Sequence, residues 1–181
     1  MADLRFERTD EMLQIQFIKL LTQIPFEQIS VSKLAKSSKI DRTTFYAHYE
    51  NTYQLAEKII NQHLAFIKNV IQKSMPQQLN ATYFDSYAYF NDALVDYLME
   101  NQVEIQHLRQ LNFGMNSFDA KLRNLFNQTY SKILHFKTED FGQYIITNLA
   151  LSNFDFILEK QRVPSKKEIR DGLAKIITYF S

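Results

Sequence analysis

Glycine and proline are scarce along the whole chain, and this scarcity limits the folds that the sequence can adopt. Only three Gly and three Pro occur in 181 residues. Tight turns depend strongly on these two residue types, so their scarcity favours long helices joined by few connections. No segment of any length alternates between apolar and polar residues as a strand does. We therefore expect an all-α protein with about nine helices.

The composition also excludes several classes of protein. The absence of Cys excludes disulfides, thiolate catalysis and Cys-based zinc sites. No apolar run approaches the roughly 18 residues that a membrane span needs, and the charged N-terminal segment has no apolar signal core. We therefore expect a cytoplasmic protein with no membrane partner. The four histidines do not pair at metal-ligand spacing, and no phosphate loop or nucleophile motif occurs. The sequence thus predicts no enzyme, no cofactor and no metal site.

The helix boundaries follow from apolar periodicity and from capping residues. Ser30 and Asp41 are expected to be the N-caps of two short helices. Ser165 with Glu168 forms a capping-box pattern at the start of the last helix. The expected helices span about 5–23, 31–37, 41–48, 51 to before 75, 81–101, 103–112, 118–134, 138–162 and from 165 onward.

The second and third helices, braced by the first, form a helix-turn-helix pattern. In such a unit the second short helix enters the major groove with its N-terminal residues on the base edges. Arg42 at this position can contact a guanine in bidentate fashion, and Thr43 and Thr44 can contact base edges or phosphate. Phe45 is expected to face inward. The alternative interpretation is a pair of ordinary surface helices with an aromatic anchor.

The charge distribution supports an interaction with nucleic acid locally, although not for the chain as a whole. The formal net charge is only +1. Between residues 30 and 49, however, Lys33, Lys36, Lys39 and Arg42 stand against the single acid Asp41. A local basic surface of this kind is the expected footprint of a DNA-binding face.

This segment resembles the TetR/AcrR family of one-component transcriptional regulators. The resemblance runs from the first helix through Ile29–Ala35 and Ile40–Tyr49 to Leu55, and its most specific part is the Thr-Phe-Tyr-x-His-Tyr core. It implies a three-helix DNA-binding head, residues 1–50, and a helical body for ligand binding and dimerisation, residues 51–181.

The resemblance also implies roles for single residues of the head. Arg42, Thr43 and Thr44 are expected to read bases. The residues expected to contact backbone phosphate are Ser30, Ser32, Tyr46 and His48.

Two positions depart from the family pattern. Lys39 occupies the turn position where the family usually has Gly. If that backbone is left-handed, Lys costs about 1 kcal/mol there, although it can reach a phosphate. Thr52 occupies the position of a usual Lys at the start of the fourth helix. Its hydroxyl and the helix N-terminus can still meet a phosphate, but one positive charge is missing.

The body contains polar and aromatic residues that suit a small-molecule pocket. His63 lies on the apolar stripe of the fourth helix. The ligand-pocket candidates are His63, Tyr87, Asn91, Gln110, Phe113 and Phe126. Plain core packing is the alternative for each of them.

The last two helices predict a homodimer. The eighth is apolar nearly all round, and the ninth carries a clean apolar stripe after a short Val163-Pro164 turn. Two such helices and their symmetry copies can form a four-helix bundle. The expected interface residues are Phe154, Ile157, Leu158, Leu173 and Ile177. Alternatively, these side chains fill only the core of their own chain.

The function that the resemblance implies is a ligand-responsive repressor. Its partners would be double-stranded operator DNA with a palindromic sequence, a second copy of the chain and a small-molecule effector. The ligand would move the fourth helix and thereby change the spacing of the two heads. The alternative is a TetR-like adaptor that acts through protein contacts without binding DNA on its own.

Overall fold

The computed structural model describes residues 4–74, 92–134 and 140–180. Over these ranges the chain forms nine α-helices and two short 3-10 turns and contains no strand, which confirms the all-α prediction. The helices are α1 (Leu4–Leu21), α2 (Val31–Ser37), α3 (Arg42–His48), α4 (Thr52–Ser74), α5 (Asp92–Glu100), α6 (Gln102–Arg109), α7 (Phe118–Leu134), α8 (Phe141–Lys160) and α9 (Lys166–Phe180). The 3-10 turns are Phe26–Gln28 and Gly114–Asn116. No helix in the described ranges has the length and apolar character needed to cross a membrane.

The two short helices of the head begin at the predicted caps. The Ser30 hydroxyl accepts a hydrogen bond from the Lys33 backbone N–H at 3.2 Å. The Asp41 carboxylate accepts one from the Thr44 backbone N–H at 2.6 Å. Each cap satisfies one of the N–H groups that a helix start leaves without an intrahelical acceptor. These caps therefore fix where α2 and α3 begin.

The predicted capping box of α9 is present in both directions. The Glu168 N–H donates to the Ser165 hydroxyl at 3.2 Å, and the Ser165 N–H donates to the Glu168 carboxylate at 2.8 Å. Arg162 also donates to this carboxylate, and its hydrogen bonds are the main reason that the pKa of Glu168 falls to about 2.

The predicted start of α8 near residue 138 lies outside the described residues. The helix is described from Phe141, with Asp140 as its cap.

The turn between α2 and α3 adopts a left-handed backbone at Lys39, with φ of +54°. The Lys39 N–H donates to the Lys36 carbonyl at 3.2 Å, and the Ile40 N–H donates to the Ala35 carbonyl at 3.0 Å. This hydrogen-bond pattern is the Schellman motif, in which the left-handed residue is usually Gly. The sequence-based concern about Lys39 is therefore confirmed, since a non-glycine residue occupies a position that costs about 1 kcal/mol.

The chain divides into two compact units. The first contains Met1–Ala65 and Val103–Lys121, and thus α1, α2, α3, the first part of α4, and α6. Its core is made of fully buried side chains, among them Leu13, Phe17, Leu34, Phe45 and Leu55. The compact unit extends beyond residue 50, where the sequence predicts the head to end, and that functional boundary stays a prediction.

The second unit contains Phe66–Gln102 and Leu122–Ser181. In this unit α5 packs on α8. Its buried side chains include Leu94 and Leu98 of α5, Phe126 of α7, and Phe154 of α8. By contrast, α9 buries Ile169, whereas Ile176 and Ile177 in its second half are 57% and 67% exposed.

Candidate nucleic-acid interface

The first turn of α3 presents polar side chains to solvent while its middle is anchored in the core. Arg42 and Thr43 are exposed, and Thr44 is half-buried. Phe45 is completely buried. An exposed polar start fixed by a buried aromatic residue is the arrangement that a recognition helix needs, because base contacts require a defined helix angle.

Arg42 and Tyr46 form a pair on the exposed face of α3, one helical turn apart. Arg42 Nη2 donates to the Tyr46 hydroxyl at 3.3 Å, and the guanidinium carbon lies 5.9 Å from the centre of the tyrosine ring. Tyr46 is 49% exposed. The pair is therefore accessible, and an exposed hydrogen bond of this length exchanges readily for contacts with a base or a phosphate.

The neighbouring surface of α2 and the turn is basic. Lys33, Lys36 and Lys39 are all exposed, as is Ser32. Ser30 is exposed as well, and because its oxygen accepts the capping hydrogen bond, its hydroxyl hydrogen can still be donated. These groups can neutralise or hydrogen-bond phosphate, which positions a protein on DNA without reading sequence.

Asp10 of α1 joins three helical segments of the head. Its carboxylate accepts a hydrogen bond from the Tyr49 hydroxyl just after α3. The same carboxylate accepts from Lys58 Nζ of α4 at 2.7 Å and from Gln14 Nε2 at 2.8 Å. The Asp10 side chain is 15% exposed, so these bonds are partly shielded from water. Asp10 therefore fixes the end of α3 against α1 and α4.

His48, at the end of α3, lies beneath an aromatic ring of α1. Phe6 stacks on the imidazole with ring centres 3.8 Å apart and an interplanar angle of 21°. The His48 side chain is only 3% exposed, and its Nδ1 lies 3.8 Å from Asp10 Oδ1. Phosphate contact by His48, as the resemblance implies, would require Phe6 to move. The structure instead supports a role for this ring in packing α3 on α1.

Asp10, His48, Tyr49 and Lys58 form a cluster, and their charges follow from burial and hydrogen bonding. Burial disfavours the charged form of Asp10, but hydrogen bonds from Lys58, Tyr49 and Gln14 and the charge of Lys58 outweigh it and lower the pKa of Asp10. Burial and the hydrogen bond to Asp10 raise the pKa of Tyr49. Burial lowers the pKa of His48, against the attraction of Asp10. At neutral pH the cluster thus pairs a carboxylate with Lys58 beside a neutral imidazole.

Thr52 is the other predicted phosphate contact that the structure buries, with 8% of its surface exposed. A contact between its hydroxyl and a phosphate would need the covering side chains to shift.

The sequence does not identify Asp10 and Lys58 as residues of the site. They contact each other across 48 residues, and no local pattern indicates such a pair.

The ligand-pocket candidates that the structure describes are divided between the two units. Gln110 and Phe113 line a cavity of about 260 Å³ in the first unit. His63 is buried, and its Nε2 lies 3.0 Å from a carboxylate oxygen of Glu104 in α6. Phe126 is buried in the second unit, with its ring centre 6.5 Å from that of Phe154. Tyr87 and Asn91 lie outside the described residues.

The dimer candidates fall into two groups by exposure. Phe154, Ile157 and Leu158 are 0%, 0% and 3% exposed, so they fill the core of their own chain. Leu173 is half-buried, and Ile177 is 67% exposed. The apolar pattern of the sequence does not distinguish these two groups. Core residues of one chain and interface residues of a dimer are both apolar.

No protein-family model matches the sequence, and no curated protein matches it. The solved structures similar to this chain include the following two. One is a TetR-family transcriptional regulator from Haemophilus influenzae, with a TM-score of 0.60 and 16% identity over 96% of each chain. The other is the dihydroxyacetone kinase operon activator DhaS, with a TM-score of 0.52 and 19% identity over 84% of each chain. The similarity to the first spans nearly the whole chain, so the protein has the fold of a TetR-family transcriptional regulator.

Proposed function

We propose that this protein is a DNA-binding transcriptional regulator whose helix α3 reads base edges in the major groove. The main observation behind the proposal is that Arg42 and Thr43 are exposed at the start of α3, whereas the buried Phe45 anchors this helix in the core. The exposed lysines beside it supply phosphate contacts. The whole-chain similarity to a TetR-family transcriptional regulator supports the same assignment.

The proposed regulator binds a palindromic operator as a homodimer. One head offers few base contacts, so specific operators usually need two heads about one helical turn apart. Large apolar side chains of α8 and α9 are exposed and would be covered in a dimer. Besides Ile177, they are Phe141, Tyr144, Ile145, Ile176 and Tyr179. This surface replaces the buried Phe154, Ile157 and Leu158 as the proposed contact.

The proposed signal route from a small-molecule effector to the head is α4. In the first unit, α4 contributes the buried Leu55, the Lys58 contact with Asp10, and the His63 contact with Glu104 of α6. A movement of α4 would therefore disturb the cluster that fixes α3. Repression is the direction that the family resemblance implies, whereas DhaS, one of the similar solved structures, is named an activator.

Arg42→Ala should weaken binding to a selected operator by about 1–3 kcal/mol and relax base preference at one position in each half-site. The expected reason is the loss of a bidentate contact to guanine. Titration of a fluorescent operator and its single-base variants measures both effects. Arg123→Ala, which removes an exposed arginine of α7 in the second unit, is the matched control and should leave both quantities unchanged. Undiminished discrimination in Arg42→Ala would exclude Arg42 as a base reader.

Lys39→Ala and Lys39→Gly separate the charge of this residue from its backbone strain. Both variants lose one phosphate contact, so both should flatten the slope of log affinity against log salt by about 0.9. Only glycine relieves the left-handed backbone, so Lys39→Gly should be about 1 kcal/mol more stable than Lys39→Ala in urea unfolding.

The control for the salt slope is Lys132→Ala, an exposed lysine in the last turn of α7. Its slope should match that of the unmodified protein. If the Lys39 variants also keep the full slope, Lys39 does not contact the DNA backbone.

A further inference from the structure

A cavity of about 260 Å³ lies within the first unit, and none of the proposed DNA contacts lines it. One side comes from the turn after α1, around Phe26 and Glu27. Another comes from Tyr53 in the first turn of α4. The rest comes from His107 at the end of α6 and from Gln110–Phe113 in the segment after it.

Three aromatic rings form one wall of the cavity. The ring centres of Phe26 and Tyr53 are 4.8 Å apart, and Phe113 lies 5.2 Å from each of them. Phe26 is buried, whereas Tyr53 is 57% exposed. The faces of such rings are the negative end of a quadrupole and attract cations within about 6 Å of the ring centre.

Two polar residues of the cavity, Glu27 and His107, can offer a cation a negative charge and a hydrogen-bond acceptor. The Glu27 carboxylate is exposed and has no hydrogen-bond or ion-pair partner within the described ranges. His107 Nδ1 lies 2.7 Å from the carbonyl oxygen of Val103. A carbonyl only accepts, so Nδ1 carries the hydrogen, and Nε2 of the neutral ring is an acceptor.

The charge balance of the lining favours a cation over an anion. Among the described residues that line the cavity, Glu27 is the one carboxylate, and there is no Lys or Arg. The Gln110 side-chain amide, which can accept or donate, is exposed beside them. The volume is slightly below the roughly 300–1,000 Å³ of drug-sized ligand pockets. An occupant would therefore be small, cationic and partly apolar.

We propose that this cavity binds a small organic cation, a protonated amine on a compact apolar body. The apolar body packs on Tyr53 and Phe113, and the ammonium group pairs with Glu27 and donates to His107 Nε2. This proposal concerns a binding site and does not depend on the proposed DNA-binding function.

Benzylamine and its neutral counterpart benzyl alcohol test the proposal on the full chain. Binding is followed by saturation-transfer NMR and by isothermal titration at pH 7. Benzylamine should bind with a dissociation constant about tenfold below that of benzyl alcohol, because only the amine pairs with Glu27. Equal affinities would show a pocket for neutral aromatic molecules and would overturn the proposal, as would the absence of benzylamine binding.

Variants locate the site. Glu27→Gln should weaken benzylamine about tenfold and leave benzyl alcohol nearly unchanged. Tyr53→Leu, which keeps an apolar side chain but removes a ring face, should also weaken the amine. Glu11→Gln, an exposed glutamate on α1 that does not line this cavity, is the control and should bind as the unmodified protein does. Circular dichroism checks that each variant is folded. Unchanged benzylamine affinity in folded Glu27→Gln would contradict the assignment.

Discussion

Ile177→Glu should convert the protein into a folded monomer that binds its operator about 100-fold more weakly or worse. Ile177 is 67% exposed in the single chain, so a charge there costs little in the monomer. At an apolar contact between two copies, the same charge would be buried without a partner and would prevent association. Because two linked heads bind one palindrome with a high effective concentration, loss of the dimer removes most of the affinity.

Sedimentation velocity at micromolar concentration and operator titration measure the two effects. Lys167→Glu is the control, since it also places a glutamate on α9, in the first turn, where the Lys167 side chain is 87% exposed. The control should remain dimeric. A dimeric Ile177→Glu, or an unmodified protein that is monomeric at this concentration, would contradict the proposed interface.

Asp10→Ala should destabilise the protein by about 3 kcal/mol, because Lys58 and Tyr49 both lose their hydrogen-bond acceptor in a partly buried site. The free energy of unfolding in urea measures the loss. Glu11→Ala, at the next position on the exposed surface of α1, should change stability by no more than about 0.5 kcal/mol. If Asp10→Ala is as stable as this control, the cluster does not hold α3 in place.

The Asp10 contribution should also depend on pH. The pKa of Asp10 in the folded state lies below its ordinary value of 3.8. Stability from a group with a lowered pKa is present above the unfolded pKa and is lost as the pH falls through the folded pKa. The difference between the unmodified protein and Asp10→Ala that comes from this carboxylate should therefore shrink as the pH falls below about 4. A difference that instead grew below about pH 4 would contradict the lowered pKa of Asp10.

The starts of α2, α3 and α9 could be predicted because their causes are local. Ser30, Asp41 and Ser165 each accept a hydrogen bond from the backbone N–H three residues later. Such caps depend on residue type and spacing alone. The left-handed turn at Lys39 is suggested only by the family resemblance, because the family usually has Gly at this position. Lysine itself gives no sign of a positive φ.

Long-range contacts and the choice of partner could not be predicted in the same way. Asp10 and Tyr49 are separated by 39 residues, and nothing near either residue indicates the other. His48 belongs to a motif that implies phosphate contact, yet Phe6 covers its ring. For Ile157 and Ile177, the sequence shows two apolar residues on helices, and only the packing separates a core residue from an exposed one.

Selection of bound sequences from a pool of random DNA duplexes tests the proposed function most directly. The purified full chain is incubated with the pool, and the bound duplexes are amplified and sequenced over several rounds. Arg42→Ala, selected in parallel, identifies enrichment that depends on α3. The proposed regulator should enrich a palindrome whose half-sites lie about 10 base pairs apart, or a multiple of that spacing, with one position relaxed in the variant. A chain that enriches no sequence would contradict DNA-binding regulation and would favour an adaptor that acts through protein contacts.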